Sequence, residues 1–190
     1  MRVLFATHSS EFMGAEHSLM DMLSGLDATK VEPLVLLGRR GPLVAKLDEQ
    51  GIRHVMVPYL GNTISFSPLK PSWVKRVVNN AAVPQVARLL QRQRIDLVHS
   101  NSILADVGMR AARRAGVPYV CHIRDHGKAD HGLEFIDPEG VARLVAGAER
   151  AIAISDSVRR QYEPSVGESW HQRLHRCARQ SRPQKSCFGS

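Results

Sequence analysis

The chain has 190 residues, of which 43% are hydrophobic and 23% charged, and a formal net charge of +8. That length holds one α/β domain with a substantial core and is short for two. No apolar run is long enough to span a bilayer or to act as a secretory signal, and Cys121, Cys177 and Cys187 show neither metal-type spacing nor a closed disulfide set. A cytoplasmic protein is therefore expected. The excess of basic residues suggests nucleic acid, but half of it lies in residues 164–190, and only 5% of the chain is aromatic, so no nucleic-acid partner is expected.

In chain order, Val3-Leu4-Phe5-Ala6 reads as a buried strand. It is followed by a polar turn and by Met13-Gly14-Ala15-Glu16, where a helix carrying Leu19, Met20, Leu23 and Leu26 begins. Such a turn aims free backbone N–H groups and a positive helix end at one spot, which suits an anion. Residues 34–37 read as a second strand ended by Gly38. Leu43, Val44 and Leu47 form a short helix stopped at Gly51, and residues 54–57 form a third strand. An irregular stretch containing Pro68 and Pro71 leads into a basic helical region over 73–94, with an interruption expected near Pro84.

Residues 96–99 are the fourth strand. After it, Leu104, Val107, Gly108, Ala111, Ala112 and Ala115 share one helical face opposite Asp106, Arg110, Arg113 and Arg114, with Ser102 as a cap and Gly116 with Pro118 as the stop. Residues 119–123 form a fifth strand. After a polar loop, Asp137-Pro138-Glu139 opens a helix with a capping Asp and Pro in its first turn. Residues 151–154 are a sixth strand, and Ser155-Asp156 caps a last helix. Strict alternation with helical crossovers predicts parallel strands, hence a Rossmann-like, doubly wound α/β domain over residues 1–163. Its ligands belong beyond the carboxyl ends of the strands. Residues 164–190 follow no period and read as an irregular basic tail, either disordered or out of the natural reading frame from near Val166.

Four segments together resemble the N-terminal half of family 4 glycosyltransferases, which have a GT-B fold. Arg2 to Glu16 is similar to the family's strand and Gly-Gly-Ala-Glu turn, with Met13 in place of the first Gly. Asp96-Leu97-Val98-His99-Ser100-Asn101-Ser102, Cys121-His122-Ile123-Arg124-Asp125 and Ala151-Ile152-Ala153-Ile154-Ser155 resemble three further strand ends of that family, in order. The resemblance implies transfer of a hexosyl group from a nucleotide sugar, a co-substrate rather than a cofactor, to a glycan or lipid-linked acceptor. It further implies retention at the anomeric carbon, no metal, and an N-terminal domain that holds the acceptor. On this reading the chain lacks the donor-binding half and is inactive alone. The alternative is a non-catalytic Rossmann-like module that binds a nucleotide or a partner.

The candidate site residues follow from these strand ends. His122 and Arg124 lie on one side of a strand, as alternation requires. Arg124 suits a phosphate or carboxylate. His122 suits a donor-sugar hydroxyl and the charge of an oxocarbenium-like transition state, or else a structural bond to a carbonyl. Gly14, Ala15 and Glu16 are candidates for the donor phosphate or the acceptor, Glu16 alternatively complementing the helix dipole. Asn101 and Ser102 read first as helix caps and second as acceptor contacts, and Ser155 stands at the last strand end. His122, His126 and His131 match no zinc spacing, and no metal is expected. Trp73, Val74, Val77, Val78 and Ala81 form a helical stripe that reads first as core packing. Its second reading, with Trp73, Lys75 and Arg76, is peripheral contact with an anionic membrane at its inner face.

Overall fold

The computed structural model describes residues 1–64, 71–124 and 134–166. The six expected strands are present as β1 (Arg2–Ala6), β2 (Glu32–Leu37), β3 (His54–Met56), β5 (Leu97–Ser100), β6 (Tyr119–Ile123) and β8 (Arg150–Ala153). They form one sheet in the order β3-β2-β1-β5-β6-β8, with every pair parallel. The helices among the described residues are α1 (Gly14–Ser24), α2 (Pro42–Glu49), α3 (Ser72–Arg92), α4 (Asp106–Ala115), α5 (Pro138–Ala146) and α6 (Asp156–Val166).

Alternation along the strands divides the core in two. Val3 and Phe5 of β1 pack with Leu19, Met20 and Leu23 of α1 and with Leu43 and Leu47 of α2. Leu4 and Ala6 face the other way, with Val98, the buried face of α3, and α4 and α5. Helices on both faces explain why the strands are nearly continuous apolar runs. The helix signals hold at their ends: Asp137 Oδ1 accepts from the Gly140 N–H at 2.9 Å, Ser155 Oγ accepts from Val158 N–H at 3.2 Å, and Gly116 closes α4 at φ 69°.

Gly108 has a different reason for being glycine. A Cβ built there would sit 2.7 Å from Ala6 Cβ, so α4 crosses β1 with no room for a methyl group. Gly108→Ala is expected to cost about 1–3 kcal/mol through overpacking, despite alanine's better helix propensity. Urea unfolding with an unchanged m-value is the check, and an equal or raised midpoint would contradict it.

Three expectations need correction. The interruption near Pro84 does not occur: α3 runs unbroken from Ser72 to Arg92 with Pro84 inside it. Burial of Ala82, Val83, Val86, Ala87 and Leu90 on both sides of the proline holds the helix together. The stripe read as core is not the buried face, because Trp73 and Val77 are 68% and 61% exposed and Ala81 is exposed too. The N-terminal half of α3 buries Lys75 and Asn79 instead. They satisfy irregular backbone beneath the helix: Asn79 accepts from Leu60 N–H and donates to Leu60 O, and Lys75 Nζ donates to Thr63 O at 2.8 Å. Lys75, only 6% exposed, is therefore withdrawn from the expected membrane contact. A small antiparallel ribbon of β4 (Thr63–Ile64) and β7 (Glu134–Phe135) also lies in stretches read as irregular.

Candidate strand-end site

The strand order reverses between β1 and β5, each of which continues to a different side of the sheet. The crevice beyond their carboxyl ends is where open α/β sheets bind ligands. Asn101, the residue after β5, is fully buried there, and its N–H donates to Ala6 O at 2.8 Å. Its side-chain Nδ2 donates to Ala15 O, in the first turn of α1, at 3.1 Å.

Arg124, just past β6, completes the junction. Its Nε donates to Asn101 O at 2.9 Å, one terminal nitrogen to Asn101 Oδ1 at 2.8 Å, and the other to Ser18 Oγ of α1 at 2.8 Å. One guanidinium thus joins the ends of β5 and β6 to α1. Neither Asn101 nor Ser102 caps α4, whose N-cap is Ala105 with no side-chain bond. Ser102 Oγ accepts from Leu104 N–H in the turn before the helix. Asn101 faces the crevice because Arg124 and Ala15 offer its amide both a donor and an acceptor.

His122 lies beside this junction. Its ring stands edge-on to His99 at 6.0 Å, and His99 in turn packs on Phe5 at 5.2 Å. Burial, helped by the positive charge of Arg124, pushes His99 down to about 4 and His122 down to about 3. Both are neutral near pH 7. The buried Nδ1 of each finds no hydrogen-bond partner among the described residues. Burial pushes the Cys121 thiol, on the opposite face of β6, up to about 12 and leaves it unreactive.

At the α1 turn, Gly14 is exposed, and a Cβ there would meet nothing within 4 Å. Packing therefore does not demand glycine at this position. Glu16 is buried in the first turn and accepts from Thr7 Oγ1 at 3.3 Å. Ser155 lies beyond β8 with its oxygen engaged by the α6 turn. Gly14, Ala15, Glu16, Asn101, Ser102, His122, Arg124 and Ser155 all stand at carboxyl ends of strands. Hydrogen bonds directly join Arg124, Asn101 and the first turns of α1. Of the zinc-type histidines, His126 and His131 lie outside the described residues, as does Asp125.

Two contributors have no motif in the sequence: Ser18 is one serine in an amphipathic helix, and Tyr59 sits in an irregular stretch. The buried Tyr59 hydroxyl hydrogen-bonds Thr7 O and Leu36 O, fixing the start of the β1–α1 turn.

A parallel sheet of this order, with its polar junction at the reversal point, is a Rossmann-like, doubly wound α/β domain. The chain belongs to the family described as glycosyl transferase 4-like domain, whose model matches residues 13–178. No curated protein matches it in sequence. In fold it is similar to Anabaena HepE in complex with UDP, with a TM-score of 0.64 at 21% identity, covering 89% of this chain and 42% of that one. It is likewise similar to Acinetobacter baumannii MurG, with a TM-score of 0.59 at 15% identity, covering 83% and 42%. The lipopolysaccharide outer core galactosyltransferase WaaB in its apo form gives a TM-score of 0.59 at 16% identity, covering 92% and 44%. The chain thus spans about two fifths of the length of these structures. Among the described residues, no helix is long and apolar enough to cross a membrane.

Proposed function

We propose that this chain is the acceptor-side domain of a glycosyltransferase that moves a hexosyl group from a nucleotide sugar to a glycan or lipid-linked acceptor, with retention and without a metal. The observation that carries this reading is the Arg124–Asn101–α1 junction at the reversal point of the sheet. It leaves the exposed Gly14 backbone and the neutral His122 imidazole at the same edge. Gly14 and Ala15 would lie against the donor phosphate or leaving group, where a side chain at position 14 would intervene. His122 would hydrogen-bond a sugar hydroxyl, while Arg124 sets the crevice walls and supplies positive potential. Ser155 would line the acceptor side, with the buried Glu16, Asn101 and Ser102 shaping the wall behind it.

HepE is described with UDP and with UDP-glucose, which supports a nucleotide sugar as the donor class. Closure of a second domain over the donor excludes water and completes such sites. The 190-residue chain alone is therefore expected to give no turnover with nucleotide sugars and glycan or lipid-linked acceptors, measured by nucleotide release and product mass. Sustained turnover would overturn the acceptor-side assignment. We also place the domain at the inner face of the membrane, on the strength of Trp73, Arg76 and Val77, all exposed on the N-terminal half of α3.

A further inference from the structure

A second polar concavity lies between α3, α4 and α5 and shares no residue with the strand-end junction. Its volume is about 280 Å³, near the lower end of the range for small-molecule sites. Four guanidiniums line it from three helices: Arg76 of α3, Arg110 and Arg113 of α4, and Arg143 of α5. The carboxylates among its lining residues are Asp106 and Asp137, so the wall carries two positive charges in excess.

These arginines are unequally engaged. Arg110 lies 3.5 Å from Asp106 Oδ2 and donates to Asn80 Oδ1, and Arg143 lies 3.5 Å from Glu139. The guanidiniums of Arg76 and Arg113 make no hydrogen bond or ion pair with any described residue. Asp106 is buried, and its Oδ1 has no hydrogen-bond partner among the described residues. Asp137 Oδ1, by contrast, is occupied by Gly140 N–H.

We propose that this cavity is a binding site for a phosphate monoester. The charge matches, since such a group carries about −1.5 to −2 near pH 7 against the wall's excess of two. The shape matches as well. A tetrahedral phosphate has three terminal oxygens that can take guanidinium forks arriving from different helices, whereas a carboxylate is filled by one bidentate pair. The ester can belong to a phosphorylated sugar in solution or to a lipid headgroup, and the site is independent of the transferase reading.

The test uses the full 190-residue chain and two probes at low salt: glucose 1-phosphate by calorimetry, with glucose as the uncharged control, and co-sedimentation with phosphatidylcholine vesicles containing phosphatidic acid. Arg76→Ala and Arg113→Ala are each expected to weaken phosphate binding about tenfold or more. Arg114→Ala removes the same charge one residue away, outside the cavity, and is expected to change binding less than about twofold. All three side chains are exposed, and unchanged melting temperatures confirm that folding is intact. Binding of glucose 1-phosphate with this pattern assigns a soluble ester. The same pattern confined to the vesicles assigns a lipid headgroup, and either result supports the site. No binding of either probe, binding that survives both substitutions, or equal loss in Arg114→Ala overturns it.

Discussion

Arg124→Met is expected to lower unfolding stability by about 2–4 kcal/mol, the largest effect of any single substitution at the strand ends. The guanidinium supplies donors to two oxygens of Asn101, which is fully buried, and to Ser18 Oγ. A buried acceptor stripped of its partner costs about 1–3 kcal/mol, and water cannot readily reach Asn101 to replace the lost bonds. Methionine keeps the length and apolar stem, so the loss reports on the fork rather than on packing. A second readout separates this from general destabilisation. The Arg124 charge helps hold both His99 and His122 low, so their titration, followed by NMR, is expected to move upward in the variant. An unchanged urea midpoint together with unmoved histidines would contradict the assignment of Arg124 as the tie between strand ends.

Acid is expected to weaken the fold between about pH 6 and pH 4, with a slope that three side chains set. His99 and His122 sit at about 4 and about 3 when folded, against an ordinary 6.5. In that window the unfolded chain binds two protons that the folded chain does not, and stability falls as pH falls. Asp106 works in the opposite sense. Burial raises it from 3.8 to about 6, against the pull of Arg110, so the folded chain there binds one proton that the unfolded chain does not. The net is about one proton, or a loss of about 1.4 kcal/mol per pH unit on acidification. Asp106→Asn removes the opposing proton and is expected to steepen the slope to about 2.7 kcal/mol per pH unit, while raising stability above pH 6. His122→Gln is expected to flatten it nearly to zero. Denaturant unfolding of the three proteins across this window decides the matter. Parallel slopes would mean that these groups do not carry the pH dependence.

Much of the fold was legible because it rests on local rules. Apolar runs of strand length, the Asp137-Pro138 helix start and the Gly116 stop each act within a few residues, and the parallel sheet follows from their alternation. The order of the strands around β1 is not a local property, and neither is the buried face of α3. There the apolar stripe pointed to Trp73 and Val77, but the backbone of Leu60 and Thr63 needed polar partners and drew in Asn79 and Lys75. The β4–β7 ribbon joins residues about seventy apart with two residues per strand, too few to leave a periodic signal. At the strand ends, the polar residue types were visible as a set. Their division of labour was not: nothing local distinguishes Ser18 from other helical serines, or marks Asn101 as a residue that turns toward α1 rather than capping α4.

The Arg124–Ser18 bond closes a loop of 106 residues, and the Asn101–Ala15 bond one of 86. Contacts that distant bear the largest loop-closure cost and are made only after the intervening strands have docked. The crevice therefore has no existence in a partly folded chain. As the chain leaves the ribosome, Tyr59 reaches the start of the β1–α1 turn early, whereas the ties of that turn to Asn101 and Arg124 wait for β5 and β6. In the folded protein β5 and β6 are interior strands, each paired on both sides, so the crevice opens only when the middle of the sheet does.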